Sequence, residues 1–294
     1  MNSMYKNYKN EKVNHAILIS GSARSGTTIV GKLIHSFKNV EYAFEPPLLF
    51  SLFSMIDYID KEQWMKLYEE YLYEDFFLNA ISGRNINVNR SDDSSIYSVK
   101  SADEIKSRLQ NSIRHNDAEV IGKTRVIAYK MPDIVPYIPN MLELYPGTRV
   151  VMVRRSAMET INSIIKKKWF SDKNLSSSSE LIKGKGVNIF VPFWVDNLDS
   201  EKWINMTELD RCAYYYIRVS SNIQNSIELQ YENFVQNPYE SAKDLAIKLG
   251  LEFGEKTQDI IDSIKPSIKA RDNNIINKIS PELRQAVIKS TNNL

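Results

Sequence analysis

The sequence contains very little of what disulfide-rich folds and metal sites require. Its 294 residues include one cysteine, Cys212, so no disulfide can form within the chain and a cysteine zinc site is excluded. The three histidines, His15, His35 and His115, do not have ligand spacing, and we predict no metal site. A lone cysteine is typical of a reducing compartment, and beside the tyrosines at 214–216 it indicates a small core residue.

Charge of one sign and long apolar runs are also missing. The 38 Lys and Arg residues nearly balance the 36 Asp and Glu residues, which gives no basis for nucleic-acid binding. The first residues are polar and lack the apolar core of a signal peptide. No window approaches the ~18 uninterrupted apolar residues of a transmembrane helix. We therefore expect a cytoplasmic protein without a transmembrane segment, and the sequence gives no indication of its oligomeric state.

Short apolar runs alternate with segments of helical periodicity along most of the chain. The predicted strands cover residues 16–20, 40–44, 125–130, 149–153 and 226–231. Strands that alternate with helices predict an α/β fold, with a P-loop-type central parallel β-sheet flanked by helices on both faces. No boundary demands two domains, so we expect a disordered tail over residues 1–12 and a single domain over residues 13–294.

The segment 21–28, with the sequence GSARSGTT, lies between the first predicted strand and a predicted helix. Glycines allow consecutive backbone N–H groups to turn toward one anion, and the helix N-terminus adds positive potential. Thr27 stands where a nucleotide triphosphatase loop has its phosphate-neutralising lysine, whereas the planar guanidinium of Arg24 suits a phosphate or sulfate. We call residues 21–28 the anion loop and predict that it is poorly suited to MgATP.

The anion loop resembles the 5'-phosphosulfate loop of sulfotransferases that use 3'-phosphoadenosine 5'-phosphosulfate (PAPS), above all the bacterial and tyrosylprotein-type branch. Further segments match in order, so that the resemblance spans residues 14–290. It implies PAPS as co-substrate. The loop residues that it assigns to this ligand are Ser22, Ala23, Arg24, Ser25, Gly26, Thr27 and Thr28.

The segment 145–155, with the sequence YPGTRVVMVRR, resembles the family's strand that ends in a 3'-phosphate-binding arginine. A serine follows that arginine eight residues later, which implies Arg155 and Ser163. Arg154 with Asn162 is the competing register. Arg149 matches the usual basic start of the strand and favours Arg155. Adjacent strand residues point to opposite sides, so only one of the two arginines should face the ligand.

Three further residues receive roles from the resemblance. Lys130 lies in the segment YKMP, similar to the family's Lys-x-Pro turn, and is implied to contact the transferring group. Glu45 precedes Pro46 at the point where the tyrosylprotein branch has its proposed general base. Arg271 lies in a segment similar to the one that closes over the nucleotide, and is a candidate for the 3'-phosphate. Alternatively, Lys130 is a snorkelling strand-end lysine and Glu45 a solvated turn residue.

These residues predict a PAPS-dependent sulfotransferase, with Arg24, Lys130 and Glu45 catalytic and no metal. The expected acceptor is a carbohydrate or a small metabolite. A peptide tyrosine is second, and a lipid or polyketide hydroxyl stays open. The alternative enzyme is a nucleoside or sugar kinase, disfavoured by Thr27. A nucleotide-binding protein without activity is the remaining alternative.

Overall fold

The computed structural model describes residues 3–92, 94–110, 113–177, 182–183, 190–265 and 274–292. The seven strands in this part of the chain are β1 (Ile17–Gly21), β2 (Val40–Phe44), β3 (Val126–Lys130), β4 (Arg149–Arg154), β5 (Ile182–Lys183), β6 (Val191–Pro192) and β7 (Ile227–Gln230). Five of them form one parallel sheet in the order β2-β3-β1-β4-β7, and β5 and β6 form an antiparallel pair. The predicted parallel sheet is therefore confirmed.

Helices connect the strands and cover the sheet. The α-helices are α1 (Ser3–Asn14), α2 (Thr27–Ser36), α3 (Pro47–Ser54), α4 (Lys61–Glu69), α5 (Asn79–Ile81), α6 (Ala102–Gln110), α7 (His115–Gly122), α8 (Ile138–Leu144), α9 (Ala157–Lys167), α10 (Asp172–Ser177), α11 (Ser200–Asn205), α12 (Glu208–Val219), α13 (Tyr231–Gln236), α14 (Pro238–Leu249), α15 (Thr257–Ser263) and α16 (Pro281–Asn292). A π-helical stretch, Glu70–Leu78, joins α4 to α5. Short 3-10 turns lie at Ile96–Ser98, Val135–Tyr137, Asn197–Asp199 and Ile275–Lys278. Among the described residues, no helix has the length and apolarity to cross a bilayer.

The central strand β1 is buried on both sides of the sheet. Ile17 and Ile19 belong to the apolar core under α2 and α14, whereas Leu18 belongs to the core under α9 and α12. The side chains of a strand alternate between the two faces, so an uninterrupted apolar run is what a doubly covered strand requires. Because all five strands of this sheet are parallel, their carboxyl ends share one edge, and the anion loop leaves β1 at that edge.

The amino-terminal segment, for which a disordered tail over residues 1–12 was predicted, is described as a helix from Ser3 onward. Helix α1 covers Ser3–Asn14 and is tied to the π-helical stretch and to α4. Lys9 is only 4% exposed, and its Nζ lies 2.6 Å from Glu70 Oε1. Asn10 donates to Glu69 Oε1 over 2.8 Å, and Val13 is fully buried. Contacts with acids of distant segments therefore attach this part of α1 to the domain.

A buried ion cluster fastens α6 to the edge strand β2. Glu41 is 1% exposed and accepts two hydrogen bonds from Arg108, at 2.7 and 2.9 Å. The guanidinium of Arg125 lies 2.5 Å from the same carboxylate. Burial raises the pKa of Glu41, but the two arginines outweigh it, and the pKa is lowered overall. The carboxylate is therefore ionised and doubly paired in the native protein.

We predict that Glu41→Gln lowers the free energy of unfolding by about 3–5 kcal/mol at neutral pH, because it leaves buried arginine charge uncompensated. The folded pKa of Glu41 is depressed, so its contribution is complete above the unfolded pKa and is lost as the pH falls through the folded one. Urea unfolding of both proteins between about pH 3 and 7 should show the difference shrinking on the acid side. Glu252→Gln breaks only an exposed pair with Lys38 and should cost less than about 1 kcal/mol. A pH-independent difference would contradict the assignment.

Candidate active site

The anion loop has the left-handed backbone that an anion-binding turn requires. Gly21 and Gly26 have φ values of 136° and 99°, and the intervening Arg24 has a φ of 70°. A Cβ at Gly21 would lie 2.4 Å from the Val153 carbonyl oxygen, so glycine is required there for space as well. Helix α2 begins at Thr27, and its first N–H groups have no intrahelical acceptor. The strand–loop–helix arrangement therefore aims a helix N-terminus at the loop.

Internal hydrogen bonds already use part of the loop backbone. The Ala23 N–H donates to the Tyr215 hydroxyl oxygen over 2.6 Å. The N–H and the hydroxyl of Ser25 donate to the Ser22 carbonyl oxygen, at 3.2 and 2.6 Å. The amides of Ala23 and Ser25, two residues that the resemblance assigns to the ligand, thus donate to protein oxygen atoms in this structure. The amides at the start of α2 remain for an anion.

Arg155 and Ser163 both lie beside the anion loop. Arg24 Nε donates to Ser163 Oγ over 3.1 Å, and Arg155 Nη1 donates to the Arg24 carbonyl oxygen over 2.8 Å. Glu159 fixes the other arm of the Arg155 guanidinium at 2.9 Å, and the Tyr231 ring lies under it at 4.7 Å. Two guanidinium groups and a hydroxyl therefore converge on one side of the loop.

The competing pair, Arg154 and Asn162, is engaged elsewhere. Arg154 is 2% exposed and lies against Glu228 of β7, with its Nε 2.6 Å from Glu228 Oε2. It also donates to the Ser221 carbonyl oxygen over 3.0 Å, and Asn162 donates to the Met158 carbonyl oxygen over the same distance. Adjacent side chains of a strand point to opposite sides. Arg154 therefore points away from the anion loop and Arg155 toward it.

Lys130 joins the anion loop to a carboxylate. Its ammonium lies 3.0 Å from Thr28 Oγ1 and 2.5 Å from Glu45 Oε1, with the Phe44 ring 4.2 Å away. The Lys130 side chain is 2% exposed and that of Glu45 is 35% exposed. Burial lowers the pKa of Lys130, an effect that Glu45 opposes. A buried cation therefore stands between the loop and a carboxylate that solvent can reach.

Glu45 itself has a strained backbone. Its φ is 45°, although it is not glycine, and its N–H donates to the Lys130 carbonyl oxygen over 3.0 Å. Such strain persists only where the surroundings fix the conformation, and it is common at functional sites. Here the β2–β3 pairing and the ion pair with Lys130 fix it. The structure thus brings Glu45, Lys130 and Thr28 together.

Sequence reasoning missed two neighbours of the loop, Tyr215 and Asp133. The Tyr215 hydroxyl donates to Asp133 Oδ1 while it accepts from Ala23, and Asp133 has a φ of 72°. Asp133 directly follows the segment YKMP, and this position was the one sequence feature that could have indicated it. Tyr215 lies in a run of three tyrosines that gave no signal beyond core packing.

The remaining residues are Arg271, Glu232 and Cys212. Arg271 lies outside the described residues. Glu232 accepts a hydrogen bond of 3.0 Å from the Ser156 N–H at the start of α9. Cys212 is buried, and burial raises the pKa of its thiol. Within the described ranges, no group of three or more His, Cys, Asp or Glu residues could hold a metal ion.

Comparison with known proteins identifies the family. The profile of the sulfotransferase family matches residues 16–255. The chain belongs to the sulfotransferase family. Among curated proteins, none matches the chain.

Solved sulfotransferase structures resemble the chain over most of its length at low identity. The sulfotransferase domain of the Synechococcus PCC 7002 olefin synthase is 12% identical, with a TM-score of 0.47 and coverage of 95% of this chain and 93% of that one. A sulfotransferase from Alicyclobacillus acidocaldarius is 12% identical, with a TM-score of 0.44 and coverage of 94% of each chain. Sulfotransferase STF9 from Mycobacterium avium is 8% identical, with a TM-score of 0.48 and coverage of 99% of this chain and 79% of that one.

The packing of the anion loop against Tyr231 gives a test of its conformation. A Cβ at Gly26 would lie 2.2 Å from Tyr231 Cδ2, whereas one at Gly250, also left-handed, meets nothing within 4 Å. Either glycine-to-alanine change should cost about 1–2 kcal/mol for the backbone, and Gly26→Ala about 1–3 kcal/mol more for the clash. Urea unfolding measures both. Tyr231→Ala should recover part of the extra loss in the Gly26→Ala protein, and equal losses at the two glycines would refute this packing.

Proposed function

We propose that this sulfotransferase transfers the sulfuryl group of PAPS to an acceptor hydroxyl. The observation that carries the proposal is the position of the Lys130 ammonium, between Thr28 of the anion loop and the Glu45 carboxylate. This arrangement combines an anion site, a buried cation and a carboxylate that solvent can reach. Each of the three has a role in the transfer of a sulfuryl group from an anionic donor to a hydroxyl.

The donor would lie along the anion loop. The N–H groups of Thr27 and Thr28 at the start of α2 would hold its 5'-phosphosulfate, together with the Arg24 guanidinium. Arg155 and Ser163 would hold the 3'-phosphate. Arg155 is only 15% exposed and is already fixed by Glu159, so little reorganisation would be needed. A nucleotide without the 3'-phosphate would not make these charged hydrogen bonds.

In the transfer, the bond from sulfur to the bridging phosphate oxygen breaks, and a bond from sulfur to the acceptor oxygen forms. Glu45 takes the proton of the acceptor hydroxyl as general base. Lys130 stabilises the charge that develops on the transferring and leaving oxygens. The Lys130 ammonium must therefore shift some of its contact from Glu45 to these oxygens, which leaves the carboxylate free to accept the proton. Arg24 and Lys130 supply the positive charge, so we propose that the reaction requires no metal.

The acceptor site would open beside Glu45. The rings of Trp64, Tyr68 and Tyr73 are buried in the core and are therefore not available to an acceptor. Phe44 and Leu48, which precede and follow Glu45 in the sequence, are 40% and 50% exposed. Such a surface suits an acceptor with one apolar face, which includes the C–H face of a sugar. We propose a carbohydrate or small-metabolite hydroxyl, with a peptide tyrosine as the second acceptor class.

Calorimetric titrations of the wild type with 3',5'-adenosine bisphosphate, with AMP and with MgATP test the donor assignment. We expect the bisphosphate to bind without magnesium and more tightly than MgATP. Arg155→Gln should weaken bisphosphate binding about 10- to 100-fold and AMP binding clearly less, because the bisphosphate loses charged hydrogen bonds to its 3'-phosphate whereas AMP loses only the support that Arg155 gives to the Arg24 carbonyl oxygen.

Arg154→Gln is the matched control, since it removes the neighbouring guanidinium that faces Glu228. It should cost stability and leave the bisphosphate-to-AMP affinity ratio unchanged. Tighter binding of MgATP than of the bisphosphate would favour a kinase. If the bisphosphate-to-AMP affinity ratio changed in Arg154→Gln and not in Arg155→Gln, Arg154 would be the arginine that binds the 3'-phosphate.

A further inference from the structure

One hydroxyl group of helix α12 supports the backbone of the anion loop from outside. Tyr215 Oη accepts the Ala23 N–H over 2.6 Å and donates its own proton to Asp133 Oδ1. Tyr215 is 1% exposed, and its ring packs against Phe170 and Trp194 in the core. Its hydroxyl therefore occupies a fixed position between the loop and the turn that follows β3.

Asp133 determines which way this hydroxyl points. An ionised carboxylate can only accept hydrogen bonds, so the Tyr215 proton faces Asp133 and the oxygen lone pairs face Ala23. Burial raises the pKa of Asp133 to about 6, with Glu45 also raising it and Tyr215 and Lys130 opposing. At neutral pH the carboxylate is thus mostly ionised. At many metal sites a carboxylate that does not bind the metal fixes the orientation of a metal ligand in the same way.

The bond to Ala23 holds a strained residue in place. Arg24 has a φ of 70°, a conformation that costs a non-glycine residue roughly 1–2 kcal/mol. Tyr215 holds the N–H of the preceding residue, and Arg155 Nη1 holds the Arg24 carbonyl oxygen at 2.8 Å. The peptide unit before Ala23 and the peptide unit after Arg24 are therefore both pinned, and in this conformation the Arg24 Nε reaches Ser163.

We propose that Tyr215 and Asp133 are positioning residues for donor binding, which hold Ala23 and Arg24 in the conformation that receives the phosphosulfate. They act on the loop backbone and do not contact the donor. The inference rests on the proposed function, because it takes the loop as the PAPS site. It adds two residues to that site that neither the loop motif nor the Arg155 segment contains.

The chain offers a matched control in the adjacent residue of α12. The Tyr214 hydroxyl accepts the Asp196 N–H over 3.3 Å and donates to Asp199 Oδ2 over 2.7 Å. It therefore bridges a backbone amide and an aspartate, as Tyr215 does, but its partners lie in the segment before α11 and not in the anion loop. Tyr214→Phe and Tyr215→Phe delete the same chemical group from the same helix.

The test is calorimetric titration of both variants and the wild type with 3',5'-adenosine bisphosphate at about pH 7.5, with urea unfolding alongside. Tyr215→Phe should weaken binding about tenfold, and Tyr214→Phe should leave it within about twofold. The two losses in stability should be similar. Equal affinities in the two variants, with a wild type that binds, would overturn this inference and leave the proposed function intact. A wild type that does not bind the bisphosphate would instead overturn the proposed function.

Two variants of Asp133 separate a positioning role from a general structural one. Asp133→Asn keeps an oxygen that accepts the Tyr215 proton and should bind the bisphosphate within about threefold of the wild type. Asp133→Ala removes the acceptor and should bind as weakly as Tyr215→Phe. Hydrogen exchange of the Ala23 amide should be faster in Asp133→Ala than in Asp133→Asn, a readout that stands even if Tyr215→Phe folds poorly. Equal binding losses in the two Asp133 variants would contradict the proposal.

Discussion

The parallel direction of five strands is the constraint on which the rest of this structure depends. Because all carboxyl ends lie at one edge, the loop after β1, the glutamate after β2, the lysine that ends β3 and the arginine after β4 meet there without further design. The helices on both faces bury the strands and leave this edge for chemistry. Groups from four distant parts of the sequence thus form one charged site, in which the Lys130 ammonium links the loop to Glu45.

The site is held in a strained conformation by its surroundings. Arg24, Glu45 and Asp133 all have positive φ values although none is glycine. Each is fixed by a hydrogen bond or ion pair to another element, and these contacts include Tyr215, Lys130 and Arg155. Strain of this kind is stable only on a rigid support, which the doubly covered sheet provides. The charged groups are therefore already arranged in the folded chain, and a bound anion would require little further reorganisation.

Local patterns in the sequence were enough to predict the five strands, the anion loop and the family. They also favoured Arg155 over Arg154, because Arg149 matches the basic start of the strand in the family that the chain resembles. Contacts between distant segments could not be predicted. Helix α1 is ordered by acids about sixty residues away, and Tyr215 reaches a loop 192 residues earlier in the chain. Neither partner leaves a periodic or compositional signal, so only the folded chain reveals them.

We propose that Glu45 deprotonates the acceptor while the anion loop and Lys130 hold the transferring group. The most direct measurement follows 35S from labelled PAPS into sugars, tyrosine peptides and small or long-chain alcohols, with EDTA present. We expect the wild type to label one acceptor class and Glu45→Gln to do so about 10²- to 10⁴-fold more slowly, with binding of 3',5'-adenosine bisphosphate preserved. Transfer by Glu45→Gln at the wild-type rate would contradict the account, as would phosphate transfer from MgATP in place of sulfuryl transfer.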